Sequence, residues 1–162
     1  FPMRIVNGYG PQWSDPIERK RKFWDFLERE VKNAIVAGAG FILQMDGNCH
    51  LGPNYIKGYV NVQNANGKLF AEFLERHPHL TLVNYLPICV WIITRMRKTT
   101  KGMETSVLDV FVVCDKILLH TTRMVINEKR EHTLTNYRTV KHLGRIIESD
   151  HNPLFLYLNL QF

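Results

Sequence analysis

Four short stretches of the chain carry side chains able to do acid–base or metal chemistry: Tyr9 in Asn-Gly-Tyr-Gly-Pro-Gln, Asp46 and Asn48 in Met-Asp-Gly-Asn, Asp109 in Ser-Val-Leu-Asp, and Asp150-His151 in Ser-Asp-His-Asn-Pro. Taken singly, each has an ordinary reading. An Asp-x-Asn after a strand is usually a turn former, Ser149-Asp150 ahead of Asn152-Pro153 reads as a turn, and a tyrosine commonly packs its ring while its hydroxyl finds a partner. Asp109 is harder to dismiss, because it lies within the apolar run Val107 to Phe111, where a buried carboxylate needs a hydrogen-bonding partner. Together these groups are the parts that phosphodiester hydrolysis needs. A carboxylate can activate water, a second can hold a hard cation through oxygen, and a histidine oriented by an aspartate can exchange a proton with, or donate to, the phosphate. An amide and a phenol can give neutral hydrogen bonds to charge developing on phosphorus.

The elements that position them follow from the pattern of apolar residues. Met3 to Val6 reads as a buried strand feeding the loop Asn7 to Pro11. Asp15-Pro16-Ile17-Glu18 marks a helix start, with Asp15 as the cap and the proline in the first turn. Phe23, Leu27, Val31, Ala34 and Ile35 then share one face until Gly38 and Gly40, with Arg19, Lys20, Lys22 and Arg29 opposite. Phe41 to Met45 is a strand delivering Asp46 at its C-terminal end, a helix capped by Asn66 runs Leu69 to Arg76, and a strand follows at Leu80 to Val83. Further strands are expected at Trp91 to Thr94, Val107 to Val113, Arg123 to Ile126 and Leu154 to Leu160, with a basic turn from Arg97 to Gly102. The expected architecture is a single α+β domain over residues 1–162 with two helices and about seven strands.

The strings Ile-Val-Asn-Gly-Tyr-Gly-Pro-Gln, Met-Asp-Gly-Asn, Ser-Val-Leu-Asp-Val-Phe-Val-Val and Ser-Asp-His-Asn-Pro-Leu occur in the order of the later motifs of the endonuclease/exonuclease/phosphatase superfamily, which the chain resembles from Met3 to about Leu160. The stretch Ile93 to Arg97, continuing through Ser106 to Asp109, is most similar to the endonuclease domain of non-LTR (LINE-type) retrotransposons, including copies domesticated into host genes. The resemblance implies a two-sheet αββα sandwich and cleavage of DNA phosphodiesters that depends on Mg²⁺, or on Mn²⁺ in its place. It implies that Asp46 activates water, Asn48 orients water and phosphate, Asp109 positions His151 at the phosphate, Tyr9 contacts the scissile group, and Asp150 is a metal-side carboxylate. Gln12 stands where abasic endonucleases tend to have an Asn, and Val107 replaces the Arg of the Ser-Arg-Ile-Asp form.

The resemblance also implies a preceding segment, with a strand ending in Asn and another bringing a Glu ligand for the metal. Glu18, Glu28 and Glu30 fall in the first helix and do not replace that ligand. The chain is therefore read as an N-terminally truncated form, roughly the C-terminal two-thirds of the family domain. The alternative to an active nuclease is a remnant that binds nucleic acid or protein, including a second copy of itself through an unpaired sheet edge.

Composition is in keeping with this. The chain has 162 residues, 45% of them apolar and 22% charged, enough for one domain with a real core and too few apolar residues in any one run for a membrane span. A soluble chain without a membrane partner is expected. Its formal charge of +6 is compatible with a polyanion, and Arg95, Arg97, Lys98 and Lys101 are placed to hold a phosphate backbone, which favours a long polyanion over a phosphoinositide or sphingolipid headgroup. Cys49, Cys89 and Cys114 are odd in number and irregularly spaced, which points to free thiols and an intracellular location. The run Glu18 to Lys22 reads first as a solvated helix face and second as a nuclear localisation patch. Cys49, His50, His77, His79 and Cys89 lack zinc spacing, and Trp13, Trp24 and Trp91 read as core or helix-packing residues rather than base-stacking platforms.

Overall fold

The computed structural model describes residues 1–52, 62–89, 93–127, 139–142, 145–148 and 150–160. Strand β1 (Met3–Tyr9) leads through a loop into helix α1 (Ile17–Val36), followed by β2 (Gly40–Asp46), helix α2 (Ala65–Arg76) and β3 (Leu80–Leu82). The hairpin β4 (Arg95–Thr99) and β5 (Gly102–Ser106) precedes β6 (Asp109–Cys114), the short helix α3 (Asp115–Leu118) and β7 (Thr121–Ile126). A second hairpin, β8 (Thr139–His142) with β9 (Arg145–Glu148), and a final strand β10 (Leu154–Leu158) complete the order. Expectation and structure agree on α+β organisation. The expected strand at Trp91 to Thr94 lies partly outside the described residues, and its last two, Ile93 and Thr94, are not in a strand.

The central sheet has the order β1-β2-β6-β3, with β1 parallel to β2 and β6 antiparallel to both of its neighbours. Its even-numbered β1 face packs on α1 and α2: Val6, Leu43, Met45, Val110 and Val112 meet Trp24, Leu27, Val31, Phe70 and Phe73 in one buried cluster. The opposite face, with Ile42, Phe111 and Val113, packs on the antiparallel pair β7-β10 through Met124, Ile126, Leu154 and Leu156. Among the described residues these are an α layer and two β layers of a sandwich. No helix in them is long and apolar enough to cross a membrane.

Four local expectations are corrected. Lys20 is not on the solvated face: it sits one turn before Trp24 on the apolar stripe and is 4% exposed, its ammonium donating to the carbonyls of Trp13 (2.9 Å) and Asp15. Ile35 is exposed, although Ala34 beside it is buried in the core. Asp15 does not cap α1; its carboxylate accepts from the Gln12 amide at 2.7 Å and from Arg19 at 2.9 Å. Asn64, not Asn66, caps α2, accepting from the Gly67 amide at 2.7 Å, and Asn66 is buried as a crosslink.

Candidate active site

Tyr9, Asp46 and Asp109 stand in one row across three neighbouring strands, since Tyr9 pairs with Asp46 and Asp46 with Asp109. Partners in register point to the same face of a sheet, so the phenol and both carboxylates leave the inner face together where those strands meet the loops. That end of the sheet is fixed by the backbone. Gly10 N–H donates to the Asp46 carbonyl at 2.6 Å and Gly47 N–H to the Leu108 carbonyl at 2.7 Å. The two loops cross so closely that a Cβ at Gly10 would lie 2.5 Å from the Gly47 carbonyl oxygen, so only glycine fits. Buried Asn66 ties both loops to α1: it accepts from the Trp24 indole at 2.9 Å and donates to the carbonyls of Gly47 (2.6 Å) and Pro11 (3.3 Å).

His151 arrives from the other side. A β-bridge between Arg95 and His151, and the Met96 N–H on the Asp150 carbonyl at 2.8 Å, hang it on β4. Its Nδ1 lies 2.8 Å from Asp109 Oδ2, while Nε2 is 4.0 Å from Asp46 Oδ2 and 3.8 Å from Asp150 Oδ1. Thr94, fully buried, joins the two halves. Its carbonyl accepts from Asn152 N–H at 2.6 Å, and its hydroxyl oxygen accepts from the amides of Leu108 (2.9 Å) and Asp109 (3.0 Å). Buried Asn84 holds the same strand, donating to the Asp109 carbonyl at 3.0 Å and accepting from Phe111 N–H at 2.9 Å. Thr94, Asn84 and Asn66 were not expected as site residues. Their only sequence signal is a polar residue beside apolar ones, and a hydrogen-bond partner far along the chain cannot be read from that.

Burial, and then the neighbouring Asp109 charge, push the Asp46 carboxyl above its usual range. The hydrogen bond to Asp109 leads in pushing His151 up, against the opposing effect of burial. The pair is thus arranged as a carboxylate with enhanced basicity beside an imidazole that readily carries a proton. Asn48 takes a left-handed backbone conformation, φ 46°, which asparagine tolerates better than most residues. Its amide N–H donates to Asp46 Oδ1 at 3.1 Å and its side chain to the Gly10 carbonyl at 3.0 Å. Tyr9 is largely exposed and its hydroxyl accepts from the Gln12 side chain.

Two adjoining clefts, about 490 and 520 Å³, meet at Tyr9 and Asp46. One runs over Asn7, Gln44 and Asp109 toward Leu154; the other holds His151, Asn48, His50, Trp13, Arg95 and Arg97. Arg95 is paired with Asp150 at 2.8 Å, so one Asp150 oxygen is already engaged. Arg97, Lys98 and Lys101 are exposed on the hairpin, and of these Arg97 lines the cleft. Trp13, expected in the core, is 78% exposed at the cleft margin; Trp24 is buried as expected, and Trp91 lies outside the described residues.

One oxygen each of Asp46 and Asp109 and one ring nitrogen of His151 lie within 4.8 Å of one another. Facing carboxylates fit a hard cation, which would relieve the repulsion that raises Asp46, whereas the imidazole is a poor ligand for Mg²⁺ and is held by Asp109. Among the described residues no group of cysteines and histidines has the geometry of a zinc site.

Comparison with known proteins places this geometry. No protein-family profile and no curated protein matches the sequence. Solved structures do match. The endonuclease domain of TRAS1, a telomere-specific non-LTR retrotransposon, superposes with a TM-score of 0.63 at 16% identity, over 99% of this chain and 59% of that one. The 3′-5′ exonuclease NExo from Neisseria meningitidis gives 0.67 at 13% identity, over 98% of this chain and 62% of that one. A variant of Neisseria NExo, described as a 3′ phosphatase bound to a product DNA hairpin, gives 0.63 at 14% identity with the same coverage, 98% and 62%. The chain has the endonuclease/exonuclease/phosphatase fold, and it spans about three-fifths of the length of these neighbours.

Proposed function

We propose that the chain hydrolyses phosphodiester bonds in DNA as an endonuclease of retroelement type. The observation that carries this is the Tyr9-Asp46-Asp109 row closed by His151 on Asp109, opening into a cleft edged by Arg95 and Arg97. Asp46, at the C-terminal end of β2 beside His151, accepts the proton of the attacking water. Asn48 orients that water and the phosphate through its amide. His151, held through Nδ1 by Asp109, presents Nε2 to a phosphate oxygen and stabilises the charge that develops there. The Tyr9 hydroxyl contacts the scissile group, and Arg95, Arg97, Lys98 and Lys101 hold the backbone on either side in a salt-dependent way. Asp46 and Asp109, whose carboxylates face each other beside His151, would hold Mg²⁺ or Mn²⁺, with Asp150 as a further metal-side carboxylate. Such an ion would supply charge neutralisation at the phosphate when bound. The location that follows from this substrate is intracellular, with the DNA.

Nicking of supercoiled plasmid in Mg²⁺ tests the reading. Asp46→Ala and His151→Ala should each lower the rate by about 10²–10⁴. If the unaltered chain nicks nothing at any Mg²⁺ concentration, hydrolysis is ruled out for it.

One observation favours a second reading, a catalytically impaired interaction module. Met3 and Ile5 are 40% and 63% exposed on the inner face of β1, and among the described residues β1 has no strand on its outer edge. Unpaired apolar edges invite pairing with another chain. A second copy joined through β1 would give a dimer in light scattering that Ile5→Lys converts to monomer. A monomer at every concentration removes that reading.

A further inference from the structure

The mechanism leaves Trp13 unused, and the structure holds it in a place that packing does not explain. Its side chain is 78% exposed, yet its backbone carbonyl is tied to a buried side chain. The buried Lys20 ammonium donates to the Trp13 carbonyl at 2.9 Å and to that of Asp15. Gln12 and Asp15 close a turn around it, with Asp15 N–H on the Gln12 carbonyl at 3.1 Å and Gln12 N–H on the Asp15 carboxylate at 2.7 Å. A buried ammonium is costly unless it is hydrogen-bonded, so the loop is built around this lysine, and the conformation it fixes turns the indole outward. An exposed indole on a fixed backbone is a platform rather than a frayed side chain.

The surroundings decide what the platform fits. Trp13 shares its cleft with Asp46 and His151 and with the guanidinium groups of Arg95 and Arg97. A flat apolar face beside cations complements a ligand that joins a flat ring to an anion, which is the repeating unit of a nucleic acid strand. In an intact duplex the base faces are covered by their neighbours, and an indole reaches one only after unstacking. We propose that Trp13 stacks on an unpaired nucleobase adjacent to the phosphate held in the Asp46–His151 cleft, so that the site prefers single-stranded, gapped or flapped DNA over continuous duplex. This deepens the nuclease reading and rests on it. His50 lies in the same cleft, where burial, and then the Arg95 charge, lower its pKa.

The test is binding in EDTA, where no bond is cut, by the whole chain. The probes are a fluorescein-labelled single strand, the same sequence as blunt duplex, and the duplex with a one-nucleotide gap. Trp13→Ala should weaken binding to the single strand and the gapped duplex about tenfold and leave the blunt duplex unchanged, while Trp13→Phe keeps most of the affinity. DNA should quench the tryptophan fluorescence of the unaltered chain and not that of Trp13→Phe. Arg97→Ala should instead weaken all three probes and lower the salt slope by about one. Affinity of Trp13→Ala unchanged from that of the unaltered chain on every probe, or an equal loss on paired and unpaired DNA, overturns the stacking and leaves the nuclease reading standing. No binding of any probe by the unaltered chain overturns both.

Discussion

The two faces of the central sheet are covered to different extents. On the side of α1 and α2, Leu27, Leu43, Phe70 and Phe73 are all fully buried, and the buried Lys20 and Asn66 there are hydrogen-bonded. On the other side cover stops partway across. Ile5 and Ile42 are partners in register and point the same way, yet Ile42 is 5% exposed and Ile5 63%. Two residues further along the same pair of strands, Asn7 and Gln44 are exposed, and another two bring Tyr9 and Asp46. The β7-β10 pair lies over β6 and the far side of β2 and leaves β1 bare. Charge is concentrated along the line where cover ends: Asp46, Asp109 and His151 are half-buried, which raises the cost of charge enough to shift Asp46. The helical side holds the fold together, and the half-open side carries the candidate site.

Truncations on the two faces should separate them most strongly. Phe73→Ala removes a fully buried ring from the closed side and should cost about 3–5 kcal/mol in chemical denaturation. Ile5→Ala, one layer away on the bare side, should stay within about 0.5 kcal/mol, since little of that side chain leaves water on folding. A loss at Ile5 approaching that at Phe73 would mean the bare face is covered in solution, and a dependence on protein concentration would identify a second copy as the cover.

Thr94 tests the boundary itself. Thr94→Val keeps the shape and removes the oxygen that accepts from the amides of Leu108 and Asp109, leaving donors unpaired at about 1–3 kcal/mol each. We expect a stability loss of about 2 kcal/mol, because some rearrangement will satisfy one of the two. Asp109 should lose its alignment with His151, giving a fall in kcat of about tenfold with KM little changed, as fits a residue that acts only by positioning. Thr94→Ser keeps the oxygen and should restore most of both. If Thr94→Val is as stable and as active as the unaltered chain, Thr94 does not join the two halves of the site.

How much of this was legible in the sequence depended on range. Apolar runs placed β2 and most of β6 and helical patterning placed α1; β1 was only half legible, since the strand expected to be buried over Met3 to Val6 continues through Asn7 and Gly8 to Tyr9 and is exposed at Met3 and Ile5. Asp109 was legible for the converse reason, a charge inside an apolar run. Lys20 broke the pattern, since a lysine reads as solvent-facing unless its ammonium can find carbonyls, and those of Trp13 and Asp15 become available only once the loop folds back. Trp13 erred the other way: size and apolarity suggest a core, but nothing local says that the loop turns the ring outward. Thr94, Asn84 and Asn66 act through hydrogen bonds to residues distant in sequence, and their contribution exists only in the assembled fold. The acidic and imidazole side chains of the candidate site were thus easier to find than the residues that aim them.

The smallest effect comes from the seam of the closed side. Glu28 on α1 is held by Arg76 and His77 at the end of α2, at 2.7 Å to each. Burial opposes its ionisation, but these hydrogen bonds outweigh burial and bring the carboxyl below its ordinary value of 4.5. The folded chain therefore binds fewer protons at this group than the unfolded chain. The stabilisation is complete above about pH 4.5 and is lost as pH falls below that value and through the lowered folded pKa. Because Arg76 is half-exposed, screening by water and salt keeps the whole effect under about 1 kcal/mol. Denaturation midpoints at neutral pH and near pH 3 should fall less between the two conditions for Glu28→Gln than for the unaltered chain. Equal falls would mean that the helical layer is held at this seam by apolar packing alone, which would sharpen further the contrast with a face where the charged groups line an open cleft.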